Sequence, residues 1–190
     1  GSSQSEEGHA LTTGIDGSIY IAGFTQIIGD TDSRDIFISK YNPNPTDIAL
    51  SESSFNENID TASAVATLST TDVDASDSHT YTLVSGTGDT DNASFTIDGS
   101  NLKINISPDY ETKSSYSVRL KTTDSGGLSY EEAITLSVND VNEVATDISL
   151  TSTSFNENID AASAVATLST TDVDASDSHT YTLVLSLIHI

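Results

Sequence analysis

Residues 46–84 read TDIALSESSFNENIDTASAVATLSTTDVDASDSHTYTLV, and residues 146–184 repeat them without a gap. Five of the 39 positions differ, at 49, 51, 52, 53 and 61 and their counterparts. The period is 100 residues, the size of one small domain. The match ends abruptly. A polar stretch, Ser85-Gly86-Thr87-Gly88-Asp89, follows the first copy, whereas Leu185-Ser186-Leu187-Ile188-His189-Ile190 follows the second. Residues 185–190 are therefore expected to be foreign to the protein. The second copy, without a counterpart of residues 85–143, is expected not to fold fully alone.

Within the first unit the apolar residues alternate with period two. Tyr116, Val118 and Leu120 alternate with Ser117, Arg119 and Lys121, and Ile134, Leu136 and Val138 with Thr135, Ser137 and Asn139. Leu102, Ile104 and Ile106 do the same, and shorter pieces fit at 48–50, 64–68, 81–83 and 95–97. Such alternation puts one row of side chains in a core and the other in water. Gly and Asp clusters at 85–91, 98–100 and 124–127 mark the turns between them. Seven short strands in about 100 residues predict an all-β, immunoglobulin-like β-sandwich.

Charge narrows the chemistry. Six Lys plus Arg stand against 29 Asp plus Glu, a net charge of −23. Nucleic acid is excluded as a partner, since binding it needs cationic side chains to displace counterions. An anionic membrane surface repels the chain for the same reason. With no Cys there are no disulfides and no thiolate sites. A hard cation held by oxygen, calcium above all, suits what remains. No apolar run is long enough to span a membrane. The chain begins without Met and shows no signal peptide, which we read as an internal piece of a longer protein.

Residues 1–42 differ in character. Asp16-Gly17-Ser18-Ile19-Tyr20-Ile21-Ala22-Gly23-Phe24-Thr25, followed by Asp35-Ile36-Phe37-Ile38-Ser39-Lys40-Tyr41, resembles one unit of the bacterial seven-bladed β-propeller repeat. Two short strands are expected there, at 19–21 and 36–38. Residues 43–45, Pro-Asn-Pro, form the linker into the sandwich.

The carboxylates gather at strand ends. Glu57 lies in Phe55-Asn56-Glu57-Asn58, Asp72 and Asp74 in Asp72-Val73-Asp74, and Asp109 and Glu111 in Pro108-Asp109-Tyr110-Glu111. Asp124 opens a Gly turn, and Asp140-Val141-Asn142-Glu143 leads into the second copy. In this order over 100 residues, the set resembles a cadherin-like domain at 46–143 and a partial second one at 144–184. The resemblance implies calcium at the junction between consecutive domains. Its ligands would be Glu57, Asp109, Glu111, Asp140, Asn142 and Glu143 from one domain, and Asp172 and Asp174 from the next. Asp72, Asp74 and Asp124 form a secondary set for a site upstream of the first domain. There the linker Tyr41-Asn42-Pro43-Asn44-Pro45 carries no carboxylate.

Catalysis is not expected. Asp77-Ser78-His79-Thr80 holds the residue types of a triad, but neighbours on a strand face opposite ways. Asp72-Val73-Asp74-Ala75-Ser76-Asp77 departs from an EF-hand loop at Asp77, where Gly is needed. Asp89-Thr90-Asp91-Asn92 is read as a surface turn. The resemblance implies a bacterial cell-surface or secreted array, outer-membrane associated, whose partners are other cadherin-like domains or a surface ligand. Its function would be calcium-dependent adhesion. The alternative is a spacer or carbohydrate-binding module of a large secreted enzyme.

Overall fold

The structure, a computed structural model, describes residues 4–14, 19–27, 34–74 and 76–184. The six residues 185–190, expected to be foreign, lie outside this set, as do Asp16, Gly17 and Ser18 of the propeller-like stretch. The chain divides into two compact units, residues 1–139 and 140–190.

The first unit opens with three antiparallel strands, β1 (Gln4–Thr13), β2 (Ile19–Ile27) and β3 (Arg34–Tyr41), in the order β1-β2-β3. The polar strand β1 has no counterpart in the sequence expectations. Leu11, Ile36 and Ile38 of this sheet are exposed.

The sandwich begins at Asp47, six positions after the end of β3. One sheet contains β4 (Asp47–Leu50), β6 (Ala64–Thr71), β8 (Phe95–Asp98) and β9 (Asn101–Ile104), ordered β4-β6-β9-β8. The other contains β5 (Ser54–Asn56), β7 (Thr80–Leu83), β10 (Ser115–Thr123) and β11 (Ser129–Asn139), ordered β5-β11-β10-β7. The chain changes sheets between β4 and β5. All pairings are antiparallel except β5 with β11, where Ser54, Phe55 and Asn56 lie parallel to Ser137, Val138 and Asn139. This short parallel strand is absent from the sequence expectations. The predicted alternation at 102–106 also needs correction. The strand ends at Ile104, and Ile106, beyond its last residue, is exposed.

The two sheets enclose a core of Ile48, Phe55, Val65, Leu68, Phe95, Leu102, Ile104, Tyr116, Val118, Leu120, Leu136 and Val138. Alternation along β10 is complete, with Tyr116, Val118, Leu120 and Thr122 buried in turn. The buried Thr122 hydroxyl is satisfied by Thr70 across the core at 2.8 Å, and Thr70 meets the Tyr81 hydroxyl. The acidic turn at 89–92 pins this strand. Asp91 accepts from the Ser117 amide at 2.8 Å and from Lys113 at 2.6 Å, while Asn92 accepts from the Arg119 amide. Gly88 sits at φ +88, with the space for a Cβ taken by Ala133 of β11.

In the second unit β12 (Asp147–Leu150) pairs with β13 (Leu168–Thr171) in the register that β4 and β6 use. The copies of β5 and β7 are not strands. In the first unit those strands hydrogen-bond to β11 and β10, and residues 140–184 contain no equivalent of either. An unpaired strand leaves its amides to water and has no register to hold. Ile48 is buried at 3% exposure, but its copy Ile148 is 61% exposed.

Candidate metal centre

Strand β11 begins at one end of the first sandwich and finishes at the other, and each end carries a group of carboxylates. Glu57 follows directly on β5, and its amide donates to the carbonyl of Asn139, the last residue of β11. This side chain is 3% exposed, and its Oε2 accepts the Tyr110 amide at 2.7 Å. Buried Pro108 sets the neighbouring loop, whose carbonyl accepts the Asn58 amide. Asn58 itself is at φ 58, a left-handed conformation that Asn tolerates. Asp109 then caps the turn after it, accepting from the Thr112 amide at 2.9 Å and the Thr112 hydroxyl at 2.8 Å. The loops so fixed bring carboxylate oxygens of Glu57, Asp109 and Glu111 within 4.8 Å of one another.

The opposite end is built from the turns after β6 and β10. The Asp74 amide donates to Asp72 Oδ1, and the His79 ring reaches Asp72 Oδ2 at 3.1 Å. Asp124 accepts the Leu128 amide at 2.8 Å and so closes its Gly turn. Oxygens of Asp72, Asp77 and Asp124 lie within 4.8 Å of one another. Asp77 is thus a member that sequence reasoning passed over. Its signal was the third acid of Asp-x-Asp-x-x-Asp, which read only as a failed EF-hand loop. Asp74, expected beside Asp72 and Asp124, points its Oδ2 at the Lys40 ammonium, 3.2 Å away.

In the second unit the same turn is rebuilt. The Asp174 amide donates to Asp172 Oδ1, and His179 lies 3.7 Å from Asp172. The Glu143 amide donates to Asp174 Oδ2 at 2.7 Å, so backbone ties the linker acid to the Asp-x-Asp turn. Asp140 and Asn142 are exposed, and Asn142 spends its amide on the Glu143 carbonyl.

Chemically, the Glu57, Asp109 and Glu111 group offers carboxylate oxygens from two loops, whereas at the opposite end the His79 ring and the Lys40 ammonium already lie against Asp72 and Asp77. The first donor set suits a hard divalent cation such as calcium, which takes roughly 6–8 oxygens, and backbone carbonyls and water can complete the shell.

Several carboxyls are held below the usual value of 3.8. Burial alone would push Asp74 and Asp91 up, but ammonium and hydrogen-bond partners outweigh it: Lys40 and Ser76 at Asp74, Lys113 and Ser117 at Asp91. Lys103 lowers Asp98, and the Thr112 hydroxyl and amide lower Asp109. Groups with a depressed folded pKa contribute stability that is complete above the unfolded value and lost as pH falls through the folded one. Thermal melts of the chain should therefore be level down to about pH 5 and drop steeply below about pH 4. A melting temperature that holds to pH 3 would contradict these pairings.

No protein-family model matches the chain, and no curated protein sequence matches it. Solved structures do. PcdhgB3 EC1-4 matches with a TM-score of 0.50 at 17% identity, over 90% of this chain and 50% of that one. The human Desmocollin-1 ectodomain matches at 19% identity and TM-score 0.49, over 85% of this chain and 33% of that one. Mouse Cadherin-23 EC22-24 matches at 19% identity and TM-score 0.45, over 83% and 54%. The chain spans about a third to a half of the length of these structures. The fold is all-β and cadherin-like.

Proposed function

We propose that the chain binds calcium at the acidic ends of its sandwiches, at the junctions between consecutive domains. There the ion stiffens an extended extracellular array that serves adhesion. The observation that carries this reading is the Glu57, Asp109 and Glu111 group, with carboxylate oxygens within 4.8 Å at the end of the unit where β11 finishes. Three like charges so close repel one another unless a cation joins them. In the second unit, the turn of Asp172 and Asp174 is tied by backbone to Glu143, which suits it to complete such a shell from the following domain. Asp140 and Asn142 lie in the connecting stretch and would add their oxygens to the shell. Partners are further cadherin-like domains or a surface ligand. The setting is a cell surface or secreted array, in a bacterium associated with the outer membrane. No helix among the described residues is long and apolar enough to cross a membrane. The three-stranded sheet ahead of the sandwich is read as part of a β-propeller blade, and the chain as non-catalytic.

The test is a thermal melt of the chain in calcium against chelator. Extracellular modules bind calcium with dissociation constants on the order of 10⁻⁴–10⁻³ M. About 10 mM calcium then adds about 1.4–2.7 kcal/mol, or a rise of roughly 10 °C. Asp109→Asn should lose most of that rise. A melt indifferent to both calcium and chelator would favour the passive spacer instead.

A further inference from the structure

We propose that the Lys40 ammonium occupies the cation position at the upstream acidic end of the first sandwich, so that a divalent ion binds there only by displacing the chain's own cation. This rests on the reading that such acidic ends take calcium.

The end is crowded with buried negative charge. Side chains of Asp72 and Asp77 are 3% exposed, and that of Asp74 is fully buried. Carboxylates this close and this dry need a counter-cation. Asp77 Oδ1 accepts the Ser125 hydroxyl at 2.9 Å, while its Oδ2 is buried with no hydrogen-bond partner. Lys40, near the end of β3, supplies that charge. Its Nζ lies 3.2 Å from Asp74 Oδ2 and 3.9 Å from Asp77 Oδ1. Two residues on, the Asn42 amide donates to Asp124 Oδ2 at 2.9 Å. Gly126 makes room for it, since a Cβ there would lie 2.1 Å from Asn42 Nδ2. One short segment therefore sets a cation and an amide donor against the same group of acids.

The repeat supplies the comparison. Subtracting the 100-residue period places Lys40 at the position of Asp140, and Asn42 at that of Asn142. Where the second copy is preceded by an acid suited to share a divalent ion, the first is preceded by a base. Pro43 likewise replaces Glu143. Asp72, Asp74 and Asp77 recur unchanged as Asp172, Asp174 and Asp177. The acidic turn is constant, and the residue entering it has reversed its charge. The upstream attachment is accordingly indifferent to chelator, while the Glu57 end is not.

The test is calcium titration calorimetry on the full chain and on Lys40→Met, which keeps the aliphatic stem and drops the charge. Lys40→Gln serves if that variant folds poorly by circular dichroism. The variant should gain one calcium site, or bind at this end on the order of tenfold tighter or more. Adding Asp124→Asn should abolish the gain. Superimposable isotherms overturn the proposal, as does a gain that survives Asp124→Asn. If the natural chain binds at the Glu57 end and Lys40→Met merely matches it, the proposal falls and the junction reading stands. Binding that appears only in Lys40→Met sinks the junction reading and supports the proposal.

Discussion

Phe55→Ala should cost the first unit about 3–5 kcal/mol, whereas Phe155→Ala, the same change in the same local sequence, should stay within about 0.5 kcal/mol of the parent. Phe55 is 7% exposed and Phe155 is 69% exposed. The Phe55 ring meets Phe95 edge-on, with centroids 6.5 Å apart, and leans on Tyr116 at 6.1 Å. Phe95 and Tyr116 complete the triangle at 5.6 Å. Truncation opens a cavity between the two sheets and removes two aromatic pairs that add to area burial. A domain of this size has only about 5–15 kcal/mol to lose. Urea melts of both variants decide it. Equal losses would show that the second copy buries its phenylalanine in solution after all. The consequence reaches the site, because Phe55 anchors β5 and Glu57 follows two residues later.

The strands that the sequence disclosed are those whose burial is local in origin. Tyr116, Val118 and Leu120 alternate because β10 lies between two neighbours in its sheet with one face on the core. β5 could not be read this way. It has three residues, one of them apolar, and exists because Ser54 finds Ser137, 83 positions away. Ile106 misled in the opposite sense, since the alternation runs on past Ile104, the last residue of its strand. The repeat shows the same physics in a pair. Thirty-four identical residues in 39 make β5 and β7 in one unit and neither in the other, because partner strands decide.

The site divides along the same line. Glu57, Asp109 and Glu111 were legible only through the resemblance to a cadherin-like domain, because 52 positions separate Glu57 from Asp109 and folding alone brings them together. Asp77 was not, because its place depends on Ser125, 48 residues on. Lys40 was hidden for the same reason. Nothing local marks it, and only folding brings β3 against the turn that follows β6.

Glu57→Gln should reverse the order of stability between chelator and calcium. Glutamine keeps an acceptor oxygen for the Tyr110 amide, which Glu57 holds at 2.7 Å. The backbone amide is therefore not orphaned, and the usual cost of about 1–3 kcal/mol for that is avoided. What is lost is one of three negative charges within 4.8 Å. Without the ion that loss relieves repulsion, so the variant should melt at or above the parent, by up to about 1 kcal/mol. With about 10 mM calcium the parent gains about 1.4–2.7 kcal/mol and the variant little of it. The curves must then cross as calcium rises. A variant lower than the parent by the same amount in both conditions would mean that Glu57 is a structural acceptor and the ion sits elsewhere. Glu57→Ala separates the terms further, since it removes acceptor and charge together and should fall below the parent in either buffer.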